Sequence, residues 1–229
     1  MLWVNISNEQ SDEVLHFAHD MIRNGYQRKK RTGGKHYRDD NSTFKDIVKG
    51  KYAEFAFYNY VVRQNNGTIS KPNLNEFGRG KWDNGIDFIR KFNNREYVIE
   101  VKSSTEKSRL ILITAKDIQW NPVSKSINFE HTEGSPDFLI GAKVDVSHRK
   151  VGLGGWLSRQ DLIEAFQNPS IFLWKQGELI PGTSDKLDAD NYIWVYPEFR
   201  KKVNERSERK VPVAHILNPR YPWSVGIKY

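Results

Sequence analysis

Apolar residues recur at three- and four-residue steps from Thr43 to about Gln64, at Phe44, Ile47, Val48, Tyr52, Phe55, Tyr58, Val61 and Val62. That period belongs to an amphipathic helix, so the spacing predicts a long helix there. Farther along the period becomes two. Between Gly85 and Lys102 two alternating runs flank Asn93-Asn94, and asparagine tolerates the positive φ of a tight reversal, which predicts a β-hairpin. With the two asparagines at the tip, Phe88 faces Ile99 and Ile86 faces Val101 on one side of the sheet. Asp87, Ile89, Val98, Glu100 and Lys102 share the other side, with Asp87 opposite Glu100.

Weaker patterns fill in the rest. Ser11 to Asn24 reads as a helix, opened by Ser-Asp-Glu and stopped by Gly25. Asn65 to Trp82 is loop with a short strand, leading into the turn Asp83-Asn84-Gly85. Arg109–Ile113 reads as a strand, Thr114–Trp120 as a helix with a threonine cap, and Asp137–Val146 as a strand continuing the sheet. Gly154 to Leu157 ends a loop before a helix capped by Ser158 and running to about Gln167. Late strands are expected at Ile171–Trp174 and Tyr192–Tyr196, with a last one at Val211–Ile216. Helices are thus expected among short strands.

Two carboxylates set across a sheet repel, so a cation is expected between them. Lys102, two residues beyond Glu100, supplies part of that charge and a divalent metal the rest. Asp87 followed by Glu100-Val101-Lys102 resembles the signature of the PD-(D/E)XK nuclease superfamily, and its restriction endonuclease-like fold implies an α/β architecture, a central mixed β-sheet flanked by helices, here with a C-terminal α+β extension. The resemblance covers about Glu54 to Ser103, with the layout continuing to about Val146, and it departs from the pattern in having Ile86 where the signature has proline. It implies a Mg²⁺-dependent enzyme, with Mn²⁺ as a substitute, in which Asp87 and Glu100 bind metal and Lys102 orients the attacking water. The products would carry 5′-phosphates. Glu54 lies on the inward stripe of the long helix with Ile47, Phe57 and Val61, and in the superfamily a helix before the hairpin often donates such an acid. The alternative for Glu54 is a surface pair with Lys51. Asp83 is a rival ligand on a turn. Pro136-Asp137 spells half the signature, but the next acid, Asp145, is followed by Val146 and Ser147 with no lysine.

Charge sharpens the choice of partner. Among 229 residues, 36 Lys and Arg against 28 Asp and Glu give +8 and a pI near 9.5, which favours a polyanion such as nucleic acid; the family resemblance implies double-stranded DNA. Arg28, Lys29, Lys30, Arg31, Lys35 and Arg38 cluster in a glycine-containing stretch suited to following a phosphate backbone, or to serving as a solvated linker. Lys116 and Gln119 are candidate phosphate contacts or generic helix-surface residues. Phe199–Lys210 is again basic. No apolar run approaches the roughly 20 residues of a membrane span, and no basic amphipathic helix stands out, so a membrane partner is not expected. The opening residues lack a signal-peptide pattern, and cysteine is absent, which removes disulfides and thiolate zinc sites. The expected setting is the cytoplasm. His16 and His19 stand three apart without a third ligand nearby, so zinc is not expected. One domain over 1–229 is expected, with a core at about 43–146 and an extension at about 147–229. The expected function is a restriction-type endonuclease acting as a homodimer. A structure-specific or repair nuclease such as a Holliday-junction resolvase is the alternative, and a non-catalytic basic nucleic-acid-binding module is the alternative of another class.

Overall fold

Eight consecutive residues, Phe138 to Asp145, are all buried in the computed structural model, which means that the strand they form is covered on both faces. Residues 1–24, 39–65, 67–75, 86–92, 94–108, 110–115, 119–121, 123–124, 126–128, 136–167, 173–180 and 184–195 are described. They form β1 (Leu2–Asn5), α1 (Asn8–Arg23), α2 (Asp40–Gln64), β2 (Thr68–Ile69), β3 (Phe88–Phe92), β4 (Arg95–Thr105), β5 (Leu110–Thr114), β6 (Gln119–Asn121), β7 (Ser126–Asn128), β8 (Phe138–Asp145), β9 (Lys150–Ser158), α3 (Arg159–Gln167) and β10 (Asn191–Val195). The order β1-β9-β8-β4-β3-β2 makes a mixed six-stranded sheet, antiparallel throughout except where β4 and β8 run parallel. The architecture is α/β, and the sheet takes β1 and β9 from outside the stretch 43–146.

The two faces of β8 separate two cores. Phe138, Ile140, Ala142 and Val144 join Ile99 of β4 and Phe88 of β3 beneath α1 and α2, where Tyr52, Phe55 and Phe57 are also buried. Leu139 points the other way, into a smaller cluster with Ile111 and Ile113 of β5, Leu157 of β9 and Leu162 of α3. Strand β9 changes face partway. Gly141 pairs with Gly155 and Ala142 with Leu153, which leaves Gly154 as an extra residue in a bulge. Before it, Val151 and Leu153 lie under α2; after it, Leu157 faces α3 while Trp156 packs on the α2 side. Gly155, at φ 130°, takes a backbone conformation that suits glycine. The loop expected at Gly154–Leu157 is therefore strand. A Gly-Gly pair that reads as a break is here the device by which one strand serves both cores.

Helix starts follow local capping. Ser7, not Ser11, opens α1: its hydroxyl accepts from the Gln10 N–H at 3.2 Å and the Gln10 side chain accepts from the Ser7 N–H at 3.2 Å. Ser11 is instead buried, its hydroxyl 2.6 Å from Tyr52 Oη, and ties α1 to α2. Asp39 caps α2, accepting from the Ser42 N–H at 2.6 Å. At α3 the Asp161 N–H donates to the Ser158 hydroxyl at 3.0 Å while the Asp161 carboxylate accepts from the Ser158 N–H at 2.8 Å, as the sequence predicts for this helix. Over Thr114–Trp120 the predicted helix gives way: Thr114 ends β5 and Gln119 opens β6, whose hairpin with β7 turns where the Asn121 side chain accepts from the Val123 and Ser124 N–H groups. A seven-residue helix is too short to offset its own nucleation, and two ladders take its ends. Trp174, at the end of an expected strand, makes only an isolated bridge to Asn191. No helix among the described residues is long and apolar enough to cross a membrane.

Candidate active site

The β3–β4 hairpin has the predicted register, from Phe92 opposite Arg95 to Phe88 opposite Ile99. Asn94 at the reversal sits at φ 60°, the left-handed conformation that asparagine accepts at little cost. The ladder stops at Phe88. The next two pairs of the register would set Asp87 against Glu100 and Ile86 against Val101; instead the Val101 N–H donates to Asp87 Oδ2 at 2.6 Å. The cross-strand pair of Asp87 with Glu100 is thus not formed as a ladder pair. Asp87 lies just past the last rung, with its carboxylate standing in for a missing backbone carbonyl.

Its neighbours make it costly to charge. Burial first, then repulsion by Glu100 and by Glu54, push the Asp87 carboxyl well above its ordinary value, while Lys51 and the Val101 N–H pull it down. Three acids from two distant segments therefore act on one another at this place. Glu100 is nearly covered, its side chain 15% exposed, and its Oε1 lies 2.7 Å from Lys102 Nζ. The two residues project from the same face of β4, two positions apart. Glu54 comes from α2 and is buried. Both of its carboxylate oxygens accept from Lys51 Nζ, at 2.9 and 2.8 Å. Glu54 points inward, as its place on the apolar stripe predicts, and the pair with Lys51 forms too, but with the acid buried and not at the surface.

Asp87, Glu100 and Glu54 offer the hard oxygen donors that Mg²⁺ prefers, and the repulsion loaded on Asp87 is the kind a dication relieves. The donor chemistry fits. Among the described residues, however, no group of three or more acidic or histidine side chains is drawn together closely enough to cage an ion. Lys51 and Lys102 supply the positive charge at Glu54 and Glu100 in this arrangement.

The other acids weighed from sequence have structural work. Asp137 accepts from the Val98 N–H at 2.8 Å and pairs with Arg159 at 3.3 Å, pinning the start of β8 to β4 and α3. Asp145 accepts from Ser147 at 2.6 Å and from His148 Nδ1 at 2.7 Å in the β8–β9 turn, with Ser147 foremost in holding its carboxyl down at about 2. His16 pairs with Asp20 at 3.1 Å, and His19 packs on the Phe44 ring, so the two histidines do not share a task. Arg28, Lys29, Lys30, Arg31, Lys35, Arg38, Asp83 and Lys116 lie outside the described residues, as do 199–216 and the side chain of Gln119. The residue that sequence reasoning underrated is Lys51. Its signal was present as the i,i+3 spacing to Glu54, but a pair at that spacing is ordinarily a surface feature.

Comparison with protein-family models, curated proteins and solved structures finds no match to this chain.

Proposed function

We propose that this chain is a Mg²⁺-dependent endonuclease that hydrolyses phosphodiester bonds of double-stranded DNA to leave 5′-phosphates, acting as a homodimer of the restriction type. What supports the reading is the gathering of Asp87, Glu100 and Lys102 on one hairpin with Glu54 brought to them by α2. A stable sheet gains nothing from mutually repelling acids, whereas phosphoryl transfer needs such acids to bind a cation that absorbs charge on the reacting phosphate. Asp87 and Glu100 would hold that cation, with Glu54 in support. Lys102 would orient the attacking water and offset the negative charge that develops in the transition state. Glu100 positions Lys102 through their 2.7 Å pair. The surplus of basic residues would carry the DNA backbone contacts.

The ion pairs themselves favour a second reading, a basic nucleic-acid-binding module whose acids are structural, since Lys51 and Lys102 each engage one of them. One assay separates the classes. Supercoiled plasmid is incubated with the protein and Mg²⁺, and with Lys102→Ala and Asp87→Ala. Cleavage by the parent chain and a loss of about 10²–10⁴-fold in each variant is expected. No cleavage by the parent, with DNA binding that weakens steeply with salt regardless of Mg²⁺, selects the binding module. A panel of linear duplex, four-way junction and flap substrates separates restriction from resolvase or repair activity.

A further inference from the structure

Lys51 is placed unlike an ordinary helix-surface lysine. Its side chain is only 14% exposed, its Nζ donates to both oxygens of the buried Glu54, and it stands 5.8 Å from the centre of the Phe17 ring. Its charge also acts on Asp87, against the repulsion from Glu100 and Glu54. One ammonium group therefore serves two acids that come from different segments. A cation seeking Glu54 meets a carboxylate both of whose oxygens are already engaged.

We infer that Lys51 is the resident counter-ion of the acidic site, and that its ammonium must give up Glu54 before a divalent cation is bound there, so that Lys51 sets the metal affinity. This rests on the nuclease reading above. A lysine held this way keeps the acids in place through folding and weakens the capture of a cation until the pair is exchanged. Both follow from one charge competing with another for the same oxygens. Lys51 is a positioning residue here, since it acts through Glu54.

The test measures Mn²⁺ binding to the full chain without DNA, by the loss of the free-ion electron paramagnetic resonance signal. It compares the parent with Lys51→Met, Lys51→Gln, Lys51→Arg and Asp87→Asn, each checked for folding by circular dichroism. Methionine keeps the stem, glutamine keeps a donor without charge, and arginine keeps the charge; whichever neutral variant folds gives the comparison. The expected result is Mn²⁺ bound at least about tenfold more tightly by the neutral variants, and within about threefold of the parent by Lys51→Arg. Neutral variants that bind no more tightly than the parent, or an arginine variant that tightens as much as they do, overturn the role of Lys51. If Asp87→Asn still abolishes binding, the nuclease reading survives that outcome. Folded parent and variants that all ignore Mn²⁺ would overturn both.

Discussion

Replacing Asp87 by asparagine should make the protein more stable while removing the proposed metal chemistry. The substitution deletes one negative charge and keeps an acceptor for the Val101 N–H, which now donates to Asp87 at 2.6 Å. At an effective dielectric near 20, two carboxylates about 6 Å apart repel by about 3 kcal/mol. Asp87 is repelled by Glu100 and by Glu54, and Lys51 offsets part of that repulsion. A net gain of about 1–3 kcal/mol is expected, or a rise in Tm of about 2–12 °C for a chain of this size. Asp87→Ala separates the two effects, because it also strands the Val101 N–H and should fall about 1–3 kcal/mol below the asparagine variant. The sign with pH follows from an acid whose folded pKa lies above its ordinary 3.8. Its stabilising contribution is full below that value and is lost as pH rises through the raised one. The advantage of Asp87→Asn is thus largest near neutral pH and shrinks in acid. Urea melts at pH 7.5 and pH 5 read this directly, and an asparagine variant no more stable than the parent at pH 7.5, or an advantage that grows in acid, would refute the reasoning.

Deleting Gly154 removes the bulge of β9 and throws Trp156 and Leu157 onto the wrong faces of the sheet; a loss of more than about 4 kcal/mol of unfolding free energy, read from urea melts, is expected. Asn94→Gly should change stability by less than about 0.5 kcal/mol, while Asn94→Val, forced to the same φ of 60°, should cost about 1–2 kcal/mol in thermal melts. Asp145→Ala removes the acceptor for Ser147 and His148 and should cost about 1–2 kcal/mol at pH 7. Because its carboxyl is held at about 2, that contribution is present above its ordinary 3.8 and disappears as pH falls through about 2, so parent and variant should converge there in acid titrations followed by circular dichroism.

What was legible in the sequence was what is decided locally. The hairpin register follows from two asparagines and a period of two, and α2 from its apolar stripe, so the places of Glu100 and Lys102 on β4 and of the inward Glu54 were readable before any coordinate. Non-local choices were not readable. Nothing in Gly154-Gly155 tells a bulge from a loop until β8 is seen alongside, and nothing in Thr114–Trp120 shows that β10 and β7 will claim its two ends. The end of the ladder at Asp87 was hidden for the same reason. Whether a strand's last rung is closed by a carbonyl or by a side chain depends on where the incoming chain turns. Ser11 was misread as a cap because its bond to Tyr52 lies 41 residues away.

The Val101 amide ties the hairpin's last hydrogen bond to the chemistry of the site. A cation that draws the Asp87 carboxylate away would leave that amide without its acceptor. Its deuterium exchange would therefore gauge occupancy of the proposed site, readable in a single backbone resonance, with the neighbouring amides of β4 as the internal standard.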